Sequence, residues 1–248
     1  MPSPQTLVYL ILGAAGSGRR EVLADLIEGG LGTEGKAAVL LAEGEGADPA
    51  DARLPVAGRW RQEDELLVAE APEGATHVFF VADGRRNPVD QVEAFAGWVR
   101  DRGAALGRIL CVVNCRLLEQ HPPLAAWYEA CLHFSDVALL ARREGVANRW
   151  LSGFRERFEK QFRPCLFELV KDGGVRNPAL VLEPQARRVS HLFDEEWVPA
   201  DSEDEEDEQE EGEEVEMVRE EDPYLERLNG GRRLKQIPDI ARFLAGAA

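Results

Sequence analysis

Cysteine is scarce in this chain and poorly spaced for holding a metal. Four occur among 248 residues, Cys111, Cys115, Cys131 and Cys165. No two have C-x-x-C spacing, and they fall in or beside apolar runs such as "RILCVVNC" and "PCLFELV". Buried structural thiols in a reducing compartment are the expectation, and no metal site is expected from them. Histidine does not fill the gap: His77, His121, His133 and His191 include no i, i+4 pair and read as packing or surface residues. Long hydrophobic runs are missing too. The opening "MPSPQTLVYLILG" offers about seven apolar residues without a basic flank, where a span needs about 20 and a leader a charged start. The expectation is therefore a cytoplasmic protein with no membrane partner. Internal repeats are also absent.

Acid is abundant, but it is not spread evenly. Residues 201–222, "DSEDEEDEQEEGEEVEMVREED", hold fifteen acids and one arginine, and residues 223–248 carry +3, which leaves only −6 of the total −17 for residues 1–200. The folded part is thus mildly acidic and shows no basic footprint for nucleic acid. A stretch so rich in like charge cannot collapse into a core, so 199–222 is expected to be a disordered, self-repelling linker. Beyond it, "PYLERLNGGRRLKQIPDIARFLAGAA" regains apolar residues and a basic balance. It reads as a short docking segment, 223–248, that folds back or takes a protein partner while the linker sets its reach.

Within residues 1–198 the pattern is regular. "TLVYLIL", "KAAVLLA", "DELLVAEA", "HVFFVADG", "RILCVVN", "DVALLAR" and "PCLFELV" are short apolar bursts, read as strands. Between them lie helix-like stretches, "RREVLADLIEGGLG", "VDQVEAFAGWVRDRG", "PLAAWYEACLHF" and "VANRWLSGFRERFEKQF". Strands alternating with helices predict an α/β, doubly wound, mostly parallel sheet covered on both faces.

One segment carries chemistry. "LVYLILGAAGSGRREVL" places Gly13, Gly16 and Gly18 between a predicted strand and a predicted helix. In a G-x-x-x-x-G-K-[ST] loop, glycines let backbone N–H groups curl around phosphates, the lysine reaches the β- and γ-phosphates and the hydroxyl ligates magnesium. Here Arg19 stands at the lysine position and Arg20 at the hydroxyl position. Arg19 could still neutralise phosphate, although a planar guanidinium fits a tight cradle less well than an ammonium, and Arg20 cannot ligate a cation. Ser17 adds a hydroxyl inside the loop but has no visible His/Asp partner. Asp83, closing a strand, and Glu70, closing "ELLVAEAPEG", are the candidate catalytic carboxylates.

The order of these segments resembles the CobW-type GTP-binding metallochaperones, a branch of P-loop GTPases that includes relatives serving urease and hydrogenase maturation. "AVLLAEGEG", with Glu43, Gly44 and Glu45, stands where that family has an Asn-Glu-Phe-Gly-Glu-like turn. "HVFFVADGRRNPVDQVEAF", with Gly84 and Pro88, stands where it has Glu-Thr-Ser-Gly and an Ala-Asp-Pro turn, and "ILCVVNC", with Asn114 and Cys115, answers its Val-Val-Asp-Ala. Asp136 and "VALL" match the strand before the guanine reader. Ala141, Arg142, Arg143 and Glu144 then replace Asn-Lys-x-Asp, and the Cys-x-Cys-Cys metal motif has no counterpart. The resemblance covers about residues 6–172. It implies a P-loop fold with GTP as ligand, the base falling near Glu144, magnesium losing its hydroxyl ligand, and a homodimer across the nucleotide face as one arrangement the family uses. Loop, cation ligand, base reader and metal motif are altered together. The expectation is therefore a non-hydrolysing adaptor or regulator acting through its surface and tail, rather than a nucleoside-triphosphate hydrolase. The alternatives are a residual GTP-binding protein or GTPase with a metal-chaperone role, and an ATP-dependent small-molecule kinase.

Overall fold

The computed structural model describes residues 6–70, 72–194 and 222–244. Strand β1 (Leu7–Gly13) leads through helix α1 (Arg19–Gly30) to β2 (Ala37–Ala42), and a 3-10 turn (Pro49–Arg53) leads on to β3 (Val56–Glu63) and β4 (Leu66–Val68). Next come β5 (His77–Val81), α2 (Pro88–Arg102) and β6 (Ala105–Asn114), followed by α3 (Cys115–Gln120) and α4 (Ala125–His133). The domain closes with β7 (Val137–Ala141), α5 (Asn148–Glu159), β8 (Leu166–Leu169) and α6 (Pro178–Leu182).

The eight strands form one sheet in the order β4-β3-β2-β5-β1-β6-β7-β8. The neighbours are parallel except β3–β4, which is antiparallel. This is the predicted doubly wound α/β fold of P-loop NTPase type: β1 is central, and its glycine-rich turn opens α1 at the carboxyl pole.

The continuous apolar runs exist because both faces of the sheet are covered. Along β1, Val8, Leu10 and Leu12 pack against Val92, Phe95 and Trp98 of α2 and Trp127 and Tyr128 of α4. Tyr9 and Ile11 face the other way, onto Val22, Leu23 and Leu26 of α1 and Val181 and Leu182 of α6. Each fully buried large apolar side chain is worth about 1.5–3 kcal/mol, so two such layers hold the sheet flat against its helices. Helix α2 has its stops written in sequence: the Asn87 side chain accepts from the Val89 N–H, Pro88 starts the first turn and left-handed Gly103 ends the helix.

Strand β3 had no sequence expectation. Of "VAGRWRQE" only Trp60 is buried, and the run is largely polar. Pairing with β2 and the Trp60 indole, which donates to the Val81 carbonyl at 3.0 Å, hold it in place.

The acidic stretch 199–222, apart from Asp222, lies outside the described residues. The segment that follows is described, and it lies on its own domain. Asp222, assigned to the linker by composition, instead takes part in docking: its Oδ2 pairs with His133 Nε2 at 2.8 Å. Residues 226–234 form a small hairpin, with Leu228 N–H donating to the Arg232 carbonyl and Leu234 N–H to that of Glu226. Gly230 and Gly231, both at positive φ, make its turn. Tyr224 and Ile240 are buried in the layer shared with α2 and α4. Arg233 pairs with Asp90 and Glu93, Arg227 pairs with Glu65 and Glu93, and Lys235 Nζ lies 4.0 Å above the Tyr224 ring. Helix α7 (Ala241–Leu244) ends the described chain.

Candidate functional site

The loop between β1 and α1 has the left-handed glycines and uncapped helix start that a phosphate cradle uses, although the Ala15 and Ser17 N–H groups are bonded to the Gly84 and Ala14 carbonyls. Gly16 and Gly18 have φ of 77° and 85°, and α1 begins without a side-chain cap. Its first N–H groups therefore face the loop, and Glu21 lies in the first turn. Gly84, from the turn after β5, presses against this loop. A Cβ there would stand 2.4 Å from the Ala15 nitrogen, and the Gly84 carbonyl accepts from that N–H at 3.0 Å.

The side chains do something else. Arg19 and Arg20 are both buried, and neither points its charge at an open cradle. Arg19 donates through Nη1 to the Ala82 carbonyl and through Nη2 to Glu45 Oε1 at 2.8 Å. Arg20 donates through Nη2 to Glu45 Oε2 and through Nη1 to both oxygens of Asp51, each at 2.8 Å. The Gly84 N–H completes the shell of Glu45 at 3.0 Å. One buried carboxylate thus collects two guanidinium groups and a backbone N–H. Burial alone would raise the Glu45 carboxyl, but the Arg19 charge, the Gly84 N–H and the guanidinium hydrogen bonds outweigh it and hold the group below the usual carboxylate range. Burial likewise works against the Arg20 cation, and its bonds to Asp51 and Glu45 more than restore it.

The chain supplies these acids from the turn after β2. Glu45 N–H bonds to the Ala42 carbonyl, Arg59 reaches the Glu45 carbonyl at 2.8 Å, and the Asp48–Asp51 capping box starts the 3-10 turn that carries Asp51. On the solvent side, Arg142, in a left-handed conformation after β7, lies over the loop. Its Nη2 pairs with Glu21 at 2.8 Å and its Nε points at the Gly16 carbonyl at 3.4 Å.

Among the sequence candidates, Gly13, Gly16, Ser17, Gly18, Arg19 and Arg20 stand together at the carboxyl pole. Ser17 is fully buried, and its Oγ finds no partner among the described residues. Asp83 is nearby and buried, accepting from the Arg85 N–H at 2.9 Å. It lines a cavity of about 260 Å³ with Glu43, Gly44, Trp60, Arg86 and Gln91, and no residue of the loop lines that cavity. Glu70 is exposed just beyond β4, the sheet edge, with β3, β2 and β5 between that strand and β1. Glu144 is exposed in the turn after β7, and beside it Arg143 is turned to the Val170 carbonyl. All four cysteines are buried and free, and burial lifts the Cys115 thiol to about 12. Among the described residues no group of three or more metal-ligating side chains comes together, and no helix is long and apolar enough to cross a membrane.

Glu45 and Asp51 were missed as site residues. Two adjacent arginines entering a helix beside buried strands require carboxylates, because guanidinium groups are almost never buried unpaired. "EGEGADPAD", at the carboxyl end of the next strand, was the place to look.

No family model matches the chain, and no curated protein matches it in sequence. Two solved structures are similar to it. One is a zinc-bound triple mutant of the YjiA GTPase, 15% identical with a TM-score of 0.45, matched over 73% of this chain and 66% of that one. The other is zinc-bound YjiA GTPase from E. coli, 12% identical with a TM-score of 0.40, over 75% of this chain and 67% of that one. The chain thus spans about two thirds of the length of these neighbours, and its site rests on the geometry above.

Proposed function

We propose that this protein is a P-loop-type α/β domain that does not hydrolyse nucleotide and works as an adaptor or regulator, through its surface and its C-terminal segment, toward a protein partner. The observation that carries this reading is the commitment of Arg19 and Arg20 to Glu45 and Asp51. These are the two positions whose side chains would otherwise meet phosphate and cation. Releasing either guanidinium to a ligand would take from buried Glu45 one of its two cations, and weakening a buried pair in this way is costly. At the base-reading turn, Ala141 has no polar side chain and Arg142 is directed to the loop. Strong guanine discrimination needs buried polar pairs that punish the wrong base, and none is supplied there.

The residual GTP-binding reading keeps one supporting observation, the uncapped start of α1 behind left-handed Gly16 and Gly18. The two readings separate in one experiment: thermal unfolding of the full chain with GTP, GDP, ATP and ADP, each with and without magnesium, alongside a phosphate-release assay. The adaptor reading expects no turnover and no midpoint rise at millimolar nucleotide. A guanine-specific rise abolished by Arg19→Ala, or turnover abolished by it, would overturn that reading in favour of GTP binding.

A further inference from the structure

The donor set around Glu45 is unusual for a plain ion pair. It consists of the side chain at the loop's lysine position, the side chain at its hydroxyl position, and the N–H of Gly84, which arrive at 2.8, 2.8 and 3.0 Å. They come from the loop's helix on one side and the β5 turn on the other, and they converge on the two oxygens of a side chain delivered from a third element, the turn after β2. Gly84 fits this geometry and little else would, since a Cβ there would lie 2.5 Å from Arg19 Nη2 and 2.4 Å from the Ala15 nitrogen. Gly44, immediately before Glu45, is pressed so closely on Asp83 that a Cβ would stand 2.4 Å from Oδ2. Two glycines thus permit the close approach that brings the carboxylate into its seat.

We infer that Glu45 is a built-in anion occupying an oxoanion seat, and that the seat accepts a free phosphate group when this carboxylate is withdrawn. The inference rests on the reading that the loop is closed from within, and it adds what closes it and which ligand class the closed seat would take. Charge supports a phosphate. Two guanidinium groups face one full carboxylate, and Asp51, which shares Arg20, is partly exposed. Each guanidinium gives Glu45 one N–H, and charged donors of this kind suit a tetrahedral oxoanion at least as well as a carboxylate. On this account Glu45 keeps the β2 turn, the β5 turn and the loop in a ligand-bound arrangement with no ligand present.

The test is chemical rescue in the full-length chain. Glu45→Ala leaves the donors in place without their anion, and its thermal midpoint is followed against inorganic phosphate, formate and chloride at constant ionic strength. The wild type and the neighbouring variant Glu43→Ala serve as controls. The expected result is a saturable midpoint rise of about 4 °C by tens of millimolar phosphate in Glu45→Ala. Wild type and Glu43→Ala should stay flat, and the rise should be lost when Arg20→Ala is added. Rescue by formate without rescue by phosphate would overturn the inference, because the seat would then fit only the carboxylate it has lost. Absence of any anion effect would overturn it too. If the alanine variant does not fold, Glu45→Gln is used, since its neutral amide is a weak competitor for the seat. Phosphate must then raise its midpoint, and a flat response counts against the inference. Failure is separable from failure of the parent reading: nucleotide binding by the wild type sinks the adaptor proposal, whereas a phosphate-blind Glu45 variant sinks only the oxoanion seat.

Discussion

Two of the arginine–carboxylate clusters in this molecule sit in different surroundings. At the carboxyl pole, Arg19, Arg20 and Glu45 are at most 6% exposed in their side chains. On the α2 face, Arg233 and Arg227 reach Asp90, Glu93 and Glu65, acids that are 32–72% exposed. Buried charges lose water on folding and offset that cost only through complete pairing, so removing one member of the first cluster is costly unless another charge of the same sign takes its place. In the second cluster Arg233 is itself only 11% exposed, but its acids keep much of their water and salt screens the pairs. The pole should therefore resist single changes more strongly than the pairs that hold the C-terminal segment, a contrast that variants in each cluster test.

The sharpest way to break the comparison is at Glu45. Its removal takes away the carboxylate that two buried guanidinium groups share, leaving Arg19 only the Ala82 carbonyl and Arg20 only Asp51, and the expected cost is about 3–5 kcal/mol in urea unfolding. Replacing the whole set, Arg19→Met, Arg20→Met and Glu45→Leu, should recover most of that loss, because desolvated charges of comparable volume are often neutral to replace. A triple variant as unstable as Glu45→Ala would mean that the cluster contributes net stability and does not merely avoid a penalty.

Second in size is Tyr224→Ala. The ring is buried against His133 and Phe134, with centroids at 4.9 and 6.0 Å. Losing it should cost the docked segment about 3 kcal/mol. Trypsin cutting at Arg227, Arg232, Arg233 and Lys235 should then accelerate on the order of 100-fold while the sheet stays intact. Loss of the whole fold in this variant would show instead that the segment belongs to the core.

Acid provides a graded version of the same release. Burial works to raise the Asp222 carboxyl, but hydrogen bonds from His133, Ser190 and the Tyr224 N–H outweigh it and hold the group below its ordinary value. A depressed carboxyl contributes fully above its unfolded pKa of about 3.9, and the contribution fades as pH falls through the lower folded value. Trypsin is inactive at such pH, so hydrogen exchange of residues 222–244 is the readout. Protection should hold at pH 5 and fall below pH 4, and Asp222→Asn should lack that transition. Arg233→Ala should cost less, about 1 kcal/mol or below, and the loss should shrink with added salt. A salt-independent loss would place that arginine with the buried class.

These contrasts also separate what the sequence made legible from what it hid. The strands and helices around the core were readable because "LVYLIL", "HVFFV" and "VALLA" are buried on both faces, so their composition is their location. Strand β3 was hidden because a single side chain, Trp60, anchors it. At the loop, the glycines and the misplaced arginines were visible, but the carboxylates that answer them were not. Glu45 and Asp51 meet Arg20 across 25 and 31 residues, through a strand order that places β5 between β2 and β1. For the tail, composition set 223–248 apart from the acidic stretch, yet it left Asp222 on the other side of that boundary. Its partner, His133, lies 89 residues upstream.

The smallest expected effect asks from which side the loop is shut. Arg142 lies over the loop from solvent, paired with Glu21, and both side chains are 43% exposed. An exposed pair of this kind is worth between nothing and about 1 kcal/mol, so Arg142→Ala should shift the thermal midpoint hardly at all. The informative readout is ligand binding. If Arg142 were the bolt, removing it would open the cradle, and GTP or ATP would raise the midpoint of the variant but not of the wild type. With Arg19 and Arg20 held from within by Glu45 and Asp51, the expectation is that Arg142→Ala remains as indifferent to nucleotide as the parent. Opening the loop from its outer face leaves both guanidinium groups committed to their buried carboxylates.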